Sequence, residues 1–206
     1  MKNIMISCAI VLLITTASTK AQTNIIPEVG KPMPEFTLTD VHYFAKKKVS
    51  LNDFKGKWLI LDCWNRYCGV CLRAMPKINK LQDKFKDRVR FIMVGYNGSQ
   101  YTKKSDDKAI RKLFEMNRKN ENLKLSIAYD SLLFHRFDIW PTPYIIVIDP
   151  SGVVKGITYK LTEENINDLI EGKQVSLAKA YRFTERKKMI EEREAKSNAV
   201  LIDSIK

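Results

Sequence analysis

An α/β sandwich with a mixed sheet flanked by helices is the fold class this sequence predicts. Three observations predict it. Short apolar runs alternate with stretches of helical periodicity through most of the chain. Two runs, Trp58-Leu59-Ile60-Leu61-Asp62-Cys63-Trp64 and Tyr144-Ile145-Ile146-Val147-Ile148, are apolar at nearly every position, as strands buried on both faces are. A hairpin and a helix close the order, adding antiparallel pairing to a sheet that begins with crossovers.

Taken in order, Gly30-Lys31-Pro32-Met33-Pro34 is a rigid entry to a short strand at Glu35-Phe36-Thr37-Leu38-Thr39. Val49-Ser50-Leu51 alternates like a second strand, and together these form an N-terminal β extension. Asn52-Asp53-Phe54-Lys55-Gly56-Lys57 turns the chain into the run from Trp58. Then comes a helix whose Leu72, Met75, Ile78, Leu81 and Phe85 fall three or four apart. Pro76 inside it has no N–H, which predicts a kink. Residues 89–96 form another buried strand. Ser105-Asp106-Asp107 caps a second helix with Ile110, Leu113 and Phe114 inward. Leu123, Leu125 and Ile127 alternate like a strand, and residues 131–137 form a short helical piece. After Tyr144-Ile145-Ile146-Val147-Ile148, Asp149-Pro150-Ser151-Gly152 is a turn that returns residues 153–159 as a hairpin. Glu163 and Glu164 open a last helix with Ile166, Leu169 and Ile170 inward, and Gly172 ends it.

The ends of the chain differ from this middle. Residues 1–21 carry Lys2, an apolar run from Ile4 to Ile14 and a small-residue exit with Thr19 and Ala21, which describes a secretory signal cut before Gln22. The run is shorter than the roughly 20 residues that span a bilayer. The expected mature protein is therefore soluble, without stable membrane insertion, in an oxidising compartment such as the periplasm. Residues 22–29 lead in, residues 30–173 form the domain, and residues 174–206 are a charged tail expected to be a mobile helix or linker. The net charge is +13, but the cations are dispersed and no aromatic-basic array accompanies them, so nucleic acid is not expected as a partner.

The chemistry centres on Cys68-Gly69-Val70-Cys71, at a strand-to-helix junction. Cysteines three apart at a helix start share a face and can close a disulfide across one turn. Free N–H groups and the partial positive charge there stabilise a thiolate, which favours Cys68 as nucleophile and Cys71 as the shielded resolving thiol. Two alternatives stand beside this. A zinc site needs four ligands, and only Cys63, His42 and His135 remain after the expected cut, none at paired spacing. An inert disulfide would close so short a loop that it constrains the unfolded chain little.

The run from Leu59 to Cys71, followed by Pro76, resembles the active-site segment of thioredoxins, and most closely the exported TlpA/ResA-like branch. Gly30-Lys31-Pro32-Met33-Pro34-Glu35-Phe36-Thr37-Leu38 resembles that branch's lead-in, and Thr142-Pro143-Tyr144-Ile145-Ile146-Val147-Ile148-Asp149 its second signature. The similarity covers about residues 30 to 172. It implies a thioredoxin fold and thiol-disulfide exchange. It implies that Asp62, six before Cys68, relays a proton for Cys71, although a strand-end Asp bonded to backbone or water is the plainer reading. It implies that Trp64 packs under the site and shapes it. Pro143 is the candidate cis proline, a role that a two-residue shift would hand to Pro141. Thr142 would offer backbone groups to a substrate chain, and Trp64, Tyr67, Gly69, Val70, Thr142 and Pro143 form the expected substrate-binding set.

Gly69-Val70 and Tyr67 depart from thioredoxin itself, at positions that tune reduction potential and partner contacts. Peroxide-reducing redoxin relatives use a lone cysteine in a Pro and Thr context that is absent here. Cys63 reads as a buried spectator, and His42 and His135 as structural. The expected activity is reduction of protein disulfides, with no metal or organic cofactor implied and electrons drawn from an upstream dithiol protein. A non-catalytic domain that holds peptides in the same cleft is the competing reading.

Overall fold

A computed structural model describes residues 26–99 and 105–204. The signal expected at residues 1–21 lies outside the described residues. The apolar run Trp58–Trp64 forms a strand, β4, buried from Leu59 onward, and it sits in the middle of the sheet. Around it the chain adds β1 (Thr37–Leu38), β2 (Val41–His42), β3 (Val49–Ser50), β5 (Val89–Gly95), β6 (Ser126–Tyr129), β7 (Tyr144–Ile148) and β8 (Val154–Thr158). Helices are α1 (Gly69–Phe85), α2 (Asp107–Asn120), α3 (Ser131–Arg136), α4 (Glu163–Ile170) and α5 (Phe183–Ser204). The main sheet runs β2-β6-β5-β4-β7-β8, while β1 and β3 form a separate antiparallel pair. β4, β5 and β6 are parallel, and β7 and β8 join antiparallel. The expected mixed sheet is what forms.

Because successive strand residues point to opposite faces, β4 feeds two cores. Ile60 and Trp64 face α1, α2 and α4, packing with Met75, Phe114 and Ile166. Leu59, Leu61 and Cys63 face the other way, toward Phe36, Phe54 and Phe134. Asp62 shares the parity of Ile60 and Trp64, so its carboxyl is directed beneath α1.

Helix α1 continues through Pro76. Proline leaves the Leu72 carbonyl without its helical donor. Asn117 of α2 approaches there, its Nδ2 donating at 3.5 Å to that carbonyl and lying 3.2 Å from Met75 Sδ. The chain after α4 does not leave the domain at once. Lys179 bridges to Thr158, whose hydroxyl donates to the Ala178 carbonyl at 2.6 Å, and Ala180 is buried. The Leu177 side chain lies over Gly156, where an added Cβ would meet its Cδ1 at 2.3 Å and push it aside. Only then does α5 begin, with the Phe183 and Thr184 N–H groups donating to the Asp138 carbonyl and carboxylate. The strand β2, two residues on the sheet edge, has no counterpart in the sequence pattern.

Candidate active site

Strand β4 ends at Trp64 and the chain turns through Asn65 and Tyr67 to place Cys68 as the N-cap of α1. Cys68 and Cys71 are joined as a disulfide, with Cα atoms 5.2 Å apart. The Cys71 N–H donates to Cys68 Sγ at 3.3 Å. One of the helix's unsatisfied donors therefore points at the first sulfur, which is the arrangement that holds a thiolate when the bond is reduced. Cys68 is 7% exposed and Cys71 3%, so both are shielded and the first is the more open.

Beside Cys71 lies a cavity of about 330 Å³ with Asp62, Cys71 and Pro143 among its lining residues. Asp62 is only 4% exposed, and burial alone raises its carboxyl from 3.8 to about 7. Desolvation penalises the charged form, so the group holds its proton near neutrality and can exchange it there. Cys63 projects to the opposite face, free and buried, with its thiol pushed up by burial and by nearby Asp62 and Asp130.

The Thr142-Pro143 turn sits at the entry to β7, and Pro143 lines the same cavity as Cys71. Pro141 and Pro143 are not alternatives: the Trp140–Pro141 and Thr142–Pro143 bonds are both cis. Of the expected substrate-binding set, Tyr67 and Val70 are about half exposed, and Thr142 and Pro143 are partly buried. Gly69 is open enough that a Cβ there would meet only Arg73 Nη1, at 3.3 Å. Trp64 is the exception. It is fully buried, its ring 6.3 Å from Phe114 and its indole nitrogen against Gly95, so it packs beneath the site. His42 bonds Asp40 at 2.7 Å and His135 meets the Tyr96 hydroxyl at 3.4 Å; neither lines the cavity.

Asn65 is the residue that the sequence pattern does not single out. It is 5% exposed, and its Nδ2 donates to Thr142 Oγ1 at 2.7 Å. Its Oδ1 accepts from the Tyr67 N–H at 2.8 Å, and its carbonyl accepts from the Cys68 N–H at 3.0 Å. One side chain thus ties the Cys68 loop to the Thr142-Pro143 turn. Losing a buried hydrogen bond of this kind costs about 1–3 kcal/mol. Asn65→Ala should therefore lower kcat/KM for a protein disulfide roughly tenfold or more, while iodoacetamide alkylates Cys68 at nearly the wild-type rate. Equal falls in both rates would mean that Asn65 acts on the thiol rather than on alignment.

A redox-capable cysteine pair at a helix start, carried by a thioredoxin-like sheet, defines a thiol-disulfide oxidoreductase of thioredoxin fold. The chain belongs to the AhpC/TSA family, whose model matches residues 29–157. It is 29% identical over 148 residues to thiol-disulfide oxidoreductase ResA of Bacillus thuringiensis subsp. konkukian, covering 70% of this chain and 78% of that protein. The thioredoxin domain of a thiol-disulfide oxidoreductase from Bacteroides vulgatus superposes with a TM-score of 0.52 at 21% identity, over 70% of this chain and 96% of that one. A thiol:disulfide interchange protein from Bacteroides sp. gives 0.51 at 22% identity, over 72% and 91%. At such identities the two structures establish the fold. No helix among the described residues is long and apolar enough to cross a membrane.

Proposed function

We propose that this protein is an exported reductase of protein disulfides that works through Cys68 and Cys71. The observation that carries the reading is the Cys71 N–H directed at Cys68 Sγ from the start of α1. In the reduced protein the Cys68 thiolate attacks one sulfur of a substrate disulfide. That S–S bond breaks, its other sulfur leaves as a thiolate and takes up a proton, and Cys68 enters a mixed disulfide. Cys71 then loses its proton to Asp62, ionised for this step, and attacks Cys68 Sγ. The Cys68–Cys71 bond forms as the second substrate sulfur departs, so two electrons have passed to the substrate. The Asp62 carboxyl, held near pKa 7, supports this role because a proton acceptor works best near the operating pH.

The resulting disulfide must be reduced again by a dithiol protein that delivers two electrons and two protons. Residues 1–21, with their basic start, apolar run and small-residue exit, support export. The test is the reduction of insulin by dithiothreitol. Catalytic amounts of the protein should accelerate it, and Cys68→Ser should leave only the background rate. A wild-type rate equal to background would favour a peptide-holding domain instead.

A further inference from the structure

We propose that the face around the Cys68–Cys71 pair docks an acidic segment of the substrate protein, with one apolar side chain seated beside Cys71 and carboxylates on a cationic rim. The proposal rests on the reductase reading and adds to it the class of substrate.

Two hollows lie near the cysteine pair, one lined by Cys71 and the other by Tyr67, the residue before Cys68. The cavity beside Cys71 is walled by Val70, Ala74, Ile78, Leu81, Phe91 and Ile145, and Lys77 and Lys160 also line it. A second hollow, of about 280 Å³, opens beyond Tyr67 toward α2, with Leu113 and Met116 in its floor and Arg66 and Lys112 on its edge. Exposed apolar groups line both: Tyr159 at 53% and Val70 at 51% in the first, Tyr67 at 48% and Met116 at 52% in the second. Apolar surface of this kind gives an arriving chain something to bury.

The charges on this face are one-sided. Arg73, Lys77, Lys112 and Lys160 surround the strip, and among the described residues none has a carboxylate within ion-pair distance. Asp62 is the sole acid lining either hollow, and it is buried. Arg66 is held at 3.0 Å by the buried carboxylate of Asp106 and stacks on the Tyr67 ring, so it stiffens the edge of the second hollow. Each exposed cation alone is worth little, but four of one sign around an apolar strip set a field that accelerates an acidic partner and repels a basic one. The preference is therefore expressed in the association rate and weakens as salt screens it.

Two peptides test this, each closed by one disulfide with a Leu beside it and identical except that three Glu or three Lys flank the ring. The readout is kcat/KM for their reduction by the reduced protein, with neutral 2-hydroxyethyl disulfide as reference. At low ionic strength the Glu peptide should be favoured by about tenfold or more, and the ratio should fall toward one in high salt. The double variant Lys112→Glu, Lys160→Glu should reduce or reverse the ratio, each protein serving as its own control. Equal rates for the two wild-type peptides at low salt, or a preference insensitive to both salt and charge reversal, would overturn the proposal. Failure to reduce even 2-hydroxyethyl disulfide would instead remove the reductase reading, and this inference with it.

Discussion

Cells expressing Cys71→Ser are expected to accumulate dithiothreitol-sensitive, high-mass adducts on a non-reducing gel, and cells expressing Cys68→Ser are expected to show none. The expectation follows from the division of labour proposed for the two sulfurs. Cys68 is the N-cap of α1 and receives the Cys71 N–H, so an attacking thiolate remains stabilised when the Cys71 side chain becomes a hydroxyl, because the donor is backbone. Resolution, by contrast, needs the second sulfur. Serine cannot perform that step, and the mixed disulfide has no internal exit. Cys63 offers no substitute, since it lies on the opposite face of β4 and its thiol is pushed up by burial. Adducts of equal intensity in both strains would place the nucleophile elsewhere.

The second large effect concerns Asp62→Asn, which should stabilise the oxidised protein at alkaline pH while slowing its chemistry. The folded-state carboxyl is raised from 3.8 to about 7 by burial. A group shifted in that direction favours the fold most below pH 4, where folded and unfolded chains are both protonated. Its contribution then declines as pH rises from about 4 through 7, because over that range the unfolded chain ionises freely while the folded one holds its proton until about 7. At pH 8 the wild type thus carries a buried charge that costs on the order of 4 kcal/mol, and asparagine does not. Urea unfolding of the two proteins should give nearly equal stabilities at pH 4 and a variant more stable by several kcal/mol at pH 8. Other titrating groups cancel in the comparison. A difference that does not change with pH would show that this carboxyl does not titrate in the window. If Asp62 is the proton acceptor proposed above, its loss should also slow decay of a mixed disulfide on Cys68 by about a hundredfold at neutral pH, the low end of what general base catalysis contributes.

Much of this molecule is legible along the chain. The strands β4 and β7 are continuous apolar runs bounded by turn residues, and they match the expected ranges. The inward stripe of α1 falls at Met75, Ile78 and Leu81, as the three-and-four spacing requires. Less legible are the pieces whose partners are distant. β2 is two residues long and exists because β6 offers an open edge to pair with. The segment before α5 reads as a charged tail, yet Ala180 is buried and Lys179 bridges β8, contacts that its own composition does not announce. Trp64 is expected to pack under the site, but that Phe114 and Gly95 are what it packs against is decided by strands and helices far along the chain.

The candidate site divides the same way. By itself the sequence determined the sulfur pair and its order along the helix, because cysteines three apart at a strand-to-helix junction are related by one turn of local backbone. It also determined that Asp62 and Cys63 must point to opposite faces, since a strand alternates every residue. Tertiary structure alone decided what each of those side chains meets. Asp62 shares a cavity with Cys71 and Pro143 only because α1 folds back over β4 and β7 pairs beside it. Asn65 reaches Thr142 across 77 residues only because those same strands are neighbours. The physical reason is range: helix starts and strand alternation are set by bonds between near residues, whereas burial, and the proton affinity and alignment that follow from it, depend on chain segments that only the completed sheet brings together.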